Sequence, residues 1–244
     1  MEYDGLSPVS IPLDHESTVR YWPTIGLPDS TYSAIADVLA ASEKSQDPPP
    51  EDSTLCSGSG RRQWCIAGFD DRPLGEWQGP RRWQRASWRL DQTEAVLAIR
   101  AAVEGAIQTD ADASQRGPRL IESFNTVLIN RYLSGADSIK WHCDDESFYY
   151  VEPSTGNGDI VIASVSLGAE RWFSLRTHPQ RVAEKEQRKA VRIKLRSGSL
   201  LVMAGATQRN WQHSLPKDES IGEVTRINLT FRRVVPPQTQ SYLV

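Results

Sequence analysis

The sequence predicts an α+β domain whose strands close into a β-sandwich or barrel. Three observations carry that expectation. Helical periodicity is confined to the part of the chain before residue 120. From Phe124 onward short segments rich in β-branched and aromatic residues follow one another, separated by turn signals. Helices first and many antiparallel strands after is the order of an α+β domain with an all-antiparallel core.

Taken in order, residues 1–29 hold several prolines and little periodicity, so they read as loop. Ser30 is placed to cap a short helix bearing Tyr32, Ile35, Val38 and Leu39. Residues 42–62 contain Pro48-Pro49-Pro50 and Ser57-Gly58-Ser59-Gly60, the composition of a mobile loop or linker. Residues 63–89 alternate tryptophan with arginine. Asp91 and Glu94 then form a capping-box pattern. The helix that follows carries an apolar stripe of Val96, Ile99, Val103 and Ile107 and reads as a packing element against a sheet. Strands are expected at 124–132, 160–167, 171–176, 191–195, 200–203 and 226–234, with a charged, exposed connection at 178–190. There is no internal repeat. The chain thus divides into an acidic, partly flexible extension (1–62), a lid with its supporting helix (63–119) and a β core (120–244).

Composition narrows the class. Hydrophobic residues make up 39% and charged residues 24%, ordinary for a soluble globular protein. No apolar run reaches the length of a membrane span, and the acidic N-terminus lacks the order of a signal peptide. Cys56, Cys65 and Cys143 form no even-numbered disulfide framework and are expected to be reduced thiols in an intracellular protein of nucleus or cytoplasm. Net charge is −3, but it is unevenly spread. Residues 1–52 hold ten acidic residues against Arg20 and Lys44, so the remainder carries 26 basic and 21 acidic residues. A mildly basic body is compatible with a nucleic-acid ligand.

The chemistry is concentrated at two places. His142 and Asp144 are two apart beside a strand, and in extended backbone residues i and i+2 share a face. With a second histidine from a distant strand they would form a two-histidine, one-carboxylate set, which leaves coordination positions open and suits non-haem iron(II). Alone, His-x-Asp is a weak signal that a surface turn explains more readily. In the last strand, Arg226, Asn228, Thr230 and Arg232 alternate with Ile227, Leu229 and Phe231. If that strand is central, the arginines line a cavity, where each needs an anion. A guanidinium fork suits a carboxylate, so a dicarboxylate cosubstrate meets the need. An edge strand with two solvated arginines is the other reading of the same spacing.

Here the motifs become recognisable. Phe124-Asn-Thr-Val-Leu-Ile-Asn-Arg-Tyr132, His142-Cys-Asp-Asp-Glu146, Ile162-Ala-Ser-Val-Ser-Leu-Gly168, Gly198-Ser-Leu-Leu-Val-Met203, His213-Ser-Leu-Pro216 and Arg226-Ile-Asn-Leu-Thr-Phe-Arg232 occur in this order. Together they resemble the AlkB family, and within it the animal member that repairs double-stranded DNA. The resemblance covers roughly residues 120–234. It implies a double-stranded β-helix, or jelly roll, with N-terminal helices and a substrate lid. It implies Fe(II), 2-oxoglutarate and O2 as cofactor and cosubstrates, with His142, Asp144 and His213 as iron ligands. It also implies that Asn130, Tyr132, Arg226, Asn228 and Arg232 hold 2-oxoglutarate, Arg226 at its distal carboxylate and Arg232 near its 1-carboxylate end. Asp145 and Glu146 match acidic residues after the iron motif, the former position touching the damaged base. Residues 72–82 are similar to the family's segment around an intercalating finger, with Leu74 at the finger and Arg81 in the following Pro-Arg; a leucine that anchors the loop to the core is the other reading of Leu74. Trp83 is placed to stack on a base, and core packing is its other reading. The expected activity is oxidative demethylation of N-alkylated bases in DNA or RNA, releasing formaldehyde, succinate and CO2. A dioxygenase of the same fold acting on a small molecule or a protein is the alternative.

Overall fold

The computed structural model describes residues 7–43, 63–68, 94–114, 120, 123–145, 160–182 and 188–234. Two antiparallel sheets face each other. The larger has seven strands and is built from β1 (Val9–Ile11), β2 (Ser17–Trp22), β3 (Gln63–Gly68), β4 (Thr126–Tyr132), β6 (Ile162–Gly168), β9 (Ser199–Gly205) and β11 (Arg226–Arg232). Their spatial order is β1-β2-β9-β6-β11-β4-β3. The smaller sheet is β5-β10-β7-β8, from β5 (Ile139–His142), β7 (Arg171–Thr177), β8 (Ala190–Leu195) and β10 (Trp211–Leu215). This is the jelly roll that the motifs imply.

Period-two alternation assigns each face of the larger sheet. Ile227, Leu229 and Phe231 of β11, Val127 and Ile129 of β4, Val165 and Leu167 of β6 and Leu200 and Val202 of β9 share one apolar cluster. The helix α2 (Glu94–Ser114) buries its stripe of Val96, Ile99, Val103 and Ile107 in that cluster, and Ile35 of α1 (Thr31–Glu43) joins it. Each of those α2 side chains is 0% exposed, and burying one contributes about 1.5–3 kcal/mol. Arg20 and Asp110 form a close ion pair that ties β2 to α2. The helices therefore seal the outer face of the larger sheet.

The inner face is divided. Toward β1, β2, β8 and β9 the space between the sheets is filled by Ile11, Val19, Tyr21, Ile162, Ile193, Leu195 and Leu201, with Phe173 and Leu175 of β7. Toward β4, β6 and β11 it carries Asn130, Tyr132, Ser164, Ser166, Arg226, Asn228, Thr230 and Arg232, all buried. A sheet cannot bury so many polar groups against hydrocarbon, and this end holds the cavity.

The structure revises the sequence reading at its N-terminal end. Residues 1–29 are not simply loop, because 9–11 and 17–22 are strands of the larger sheet. Pro8 and Pro12 flank β1 rather than interrupt it, and β1 is an edge strand, where a flanking proline is tolerated. Residues 63–68 likewise form edge strand β3, paired with β4 from Gln63↔Arg131 to Gly68↔Thr126. The larger sheet thus draws on all three segments into which the sequence divides. The short strands β5 and β10 also went unread, whereas β4, β6, β7, β8, β9 and β11 lie where the sequence places strands. Residues 42–43 of the expected linker at 42–62 belong to α1, and its remainder, the capping residue Asp91, and Leu74, Arg81, Trp83 and Glu146 lie outside the described residues.

Among the described residues no helix is long and apolar enough to cross a membrane.

Candidate metal and cosubstrate site

Strand pairing brings the two histidines together. In the antiparallel β5–β10 ladder His213 stands directly opposite His142, so both imidazoles leave the same face. Their ring centroids are 4.1 Å apart. Asp144 follows β5 in non-ladder backbone and turns its carboxylate toward both rings. Oδ1 is 3.7 Å from His142 Nε2 and Oδ2 is 3.9 Å from His213 Nε2. One ligand atom from each residue lies within 4.8 Å of the other two, and among the described residues this is the group able to hold a metal ion.

The surroundings prepare these groups as ligands. His142 Nδ1 is 2.8 Å from the carbonyl of Lys140. A proton on Nδ1 satisfies that contact and leaves the Nε2 lone pair turned to the site. His213 is buried and stacks on Phe173 at 5.5 Å. Burial and the neighbouring His142 push its pKa down to about 3, against the opposite pull of Asp144, so it is a neutral donor at neutral pH. Burial works against ionisation of Asp144. The charge of Arg232, whose Nη2 donates to Oδ2 at 2.7 Å, and the two imidazoles outweigh it and hold the carboxyl well below the usual range. Cys143, between the ligands, donates to the carbonyl of Trp211. Burial and the adjacent Asp145 and Asp144 raise this thiol to about 11, so it stays protonated.

These shifts fix the sign of an acid response. His213 has a folded pKa below its unfolded value of 6.5, so the unfolded chain takes up a proton that the fold refuses. Asp144 is likewise depressed, and its contribution is present above the unfolded carboxylate pKa and lost below it. Both effects act the same way. The metal-free protein is expected to lose stability as pH falls from about 6.5 toward 3, read as a falling denaturation midpoint. A midpoint that held constant or rose over that range would contradict the assigned environments.

Deeper in the cavity, β11 presents its polar face. The lining includes Leu128, Asn130, Tyr132, Phe173, Met203, Arg226, Asn228, Thr230 and Arg232, together with the three metal-site residues. Register sets Arg226 opposite Tyr132 and Asn228 opposite Asn130. Arg226 Nη2 donates to Ser166 Oγ at 2.9 Å, and its Cζ lies 5.2 Å from the Tyr132 ring centroid. Its Nε is buried without a hydrogen-bond acceptor among the described residues. Burial lowers its pKa to about 10, which still leaves a cation at neutral pH. A buried guanidinium with donor capacity to spare, at the far end of the cavity from the imidazoles, matches a dicarboxylate. Asn228 differs in character. Its Nδ2 donates to Ser164 Oγ and to the carbonyl of Val165, both at 2.8 Å, and its Oδ1 accepts from Thr230. It organises the wall of the cavity. Asp145 is exposed and does not line the cavity.

Three contributors escape the sequence reading. Ser164 and Ser166 are detectable as polar alternation within an otherwise apolar strand. Arg171 carries no such signal. It is 1% exposed, and its guanidinium donates to the carbonyls of Ser134, Gly135, Asp137 and Pro216. It thereby ties the turn before β5 to the chain after β10, the two strands that carry the histidines. Gly135 is required there, since a Cβ would lie 1.9 Å from the Asp218 carbonyl oxygen.

A model of the 2OG-Fe(II) oxygenase superfamily matches residues 42–232, and the chain belongs to that superfamily. Its similarity within the superfamily is to AlkB-type members. It is 46% identical over 116 residues to alpha-ketoglutarate-dependent dioxygenase alkB homolog 3 of Bos taurus, covering 47% of this chain and 38% of that protein. It is 44% identical over 115 residues to DNA oxidative demethylase ALKBH2 of Homo sapiens, covering 47% and 41%. For the Arabidopsis thaliana protein of the same description the values are 42% over 128 residues, 46% and 38%. The matches thus span under half the length of these relatives. The solved structure of OsALKBH1 shares the fold, with a TM-score of 0.54 at 16% identity over 91% of this chain and 100% of that one.

Proposed function

We propose that this chain is an Fe(II)- and 2-oxoglutarate-dependent oxidative demethylase of N-alkylated bases in DNA or RNA, acting within the cell in nucleus or cytoplasm. The observation that carries the reading is the combination in one cavity of the His142–Asp144–His213 cluster with the buried, incompletely satisfied Arg226. The donor set of two imidazoles and one carboxylate fits iron(II) with positions left open.

When bound, iron with 2-oxoglutarate and O2 supplies the oxidising power that hydroxylates an N-methyl group, which then leaves as formaldehyde, with succinate and CO2 as co-products. The residues place the reactants. His142, Asp144 and His213 hold the metal. Arg226 pairs with the distal carboxylate of 2-oxoglutarate, with Tyr132 packed against the guanidinium. Arg232 fixes Asp144 and serves the 1-carboxylate end, while Asn130 and Asn228 order the wall between. Asp145 and Glu146, which follow the metal motif in sequence, are assigned to contact with the damaged base. Residues 61–89 carry seven arginines and four tryptophans against three acidic residues. Leu74, Arg81 and Trp83 of this stretch supply an apolar wedge, a phosphate contact and a stacking surface for a flipped base. The names of the relatives, DNA oxidative demethylase among them, support this substrate class.

A succinate assay tests the reading. A methylated oligonucleotide is expected to raise succinate formation several-fold above the level with its unmethylated counterpart. Equal turnover with both would point instead to a small molecule or a protein as the substrate.

A further inference from the structure

The backbone of Asp144 lies past the end of β5, where no ladder bond holds it, yet its carboxylate must meet two imidazoles fixed by strand pairing. One buried side chain from elsewhere in the chain reaches it. The main-chain N–H of Asp144 donates to Gln208 Oε1 at 2.9 Å. Gln208 is 3% exposed and sits on the one-turn helix α3 (Thr207–Asn210) between β9 and β10. Its Nε2 lies 3.6 Å from Met203 Sδ. A main-chain N–H can only donate, so the amide must turn its oxygen to Asp144 and its nitrogen to the thioether.

The helix itself is firmly seated. Thr207 Oγ1 donates to the carbonyl of Ala204 at 2.6 Å and contacts that of Thr18 at 3.1 Å. The N–H of Ala206 donates to the carbonyl of Glu16. Gly205, at φ +59°, makes the turn that admits this close approach to β2. Gln208 therefore projects from a fixed base, and five residues later the same segment delivers His213.

We infer that Gln208 is a positioning residue for the metal centre: its amide clamps the Asp144 main chain so that the carboxylate presents its oxygens to the ion. The inference rests on the assignment of His142, Asp144 and His213 as ligands. Hydrogen-bonded partners that orient a ligand are worth about 10- to 100-fold in metal affinity, and that is the range expected here.

The test uses Co(II), whose visible spectrum reports ligand geometry, added to the metal-free full chain. Gln208→Met keeps the length of the side chain and replaces the amide oxygen with a thioether sulfur, a much weaker acceptor. Its Co(II) affinity is expected to fall at least about 10-fold, with an altered absorption band. Gln208→Glu retains an acceptor and is expected to keep the wild-type band. Val103→Ala, in the helix cluster away from the site, matches any general loss of stability and should leave both affinity and band unchanged. A Gln208→Met protein with wild-type affinity and band would overturn the inference, as would a Val103→Ala protein that shows the same loss. Wild-type protein that fails to bind Co(II) would instead remove the metal-site reading itself.

Discussion

His142→Ala is expected to abolish 2-oxoglutarate turnover while the protein still folds. The residue ends a short strand of the smaller sheet and belongs to neither apolar core cluster, so both cores stay filled without it. What is lost is one of three ligand atoms gathered within 4.8 Å. Two ligands remain, and Asp144 keeps its bond to Arg232, which favours the ion pair over the metal. Succinate formation should fall to background, with circular dichroism and the melting temperature close to wild type. A variant that retained a tenth or more of the wild-type rate would remove His142 from the metal set. His213→Ala is a poorer test of the same point, because that ring is buried against Phe173 and its removal leaves a hole in the core.

Arg226→Ala should raise the Kd for 2-oxoglutarate by about 10- to 100-fold, since a hydrogen bond to a charged group is worth about 1.5–3 kcal/mol and each 1.4 kcal/mol is tenfold. The effect arises because the guanidinium is held ready by Ser166 and Tyr132, so its order is established before the ligand arrives. Arg226→Lys should fall between the two, as it restores the charge without the fork. Isothermal titration in the presence of Mn(II), which binds without turnover, checks both. Cosubstrate affinity unchanged in Arg226→Ala would place the distal carboxylate elsewhere.

The strand that carries Arg226 was the most legible part of the chain. Its seven residues alternate cleanly between core and cavity, and every one is buried, because both faces are covered: one by α2, the other by the second sheet. The α2 stripe was legible for a similar reason, its period matching a helix with a single buried face. The metal site was only half legible. Spacing joins His142 to Asp144, but His213 is 69 positions beyond Asp144, and period alone does not say which strands pair. The ladder that sets the two histidines opposite each other runs through β5 and β10, which are short and largely polar in sequence. The strands β1 and β2 were hidden by the prolines around them: Pro8 and Pro12 flank β1, an edge strand where proline is tolerated, and Pro23 follows the end of β2. Gln208 was invisible, since its partner is a main-chain N–H and backbone leaves no mark in a sequence.

Mass spectrometry of a panel of N-methylated DNA and RNA oligonucleotides, incubated with the protein, Fe(II), 2-oxoglutarate and O2, tests the proposed demethylation most directly. The methyl group is expected to be lost from at least one base, with succinate and formaldehyde formed in equal amounts, and to be retained with His142→Ala. Consumption of 2-oxoglutarate with every oligonucleotide returned intact would contradict a nucleic-acid demethylase.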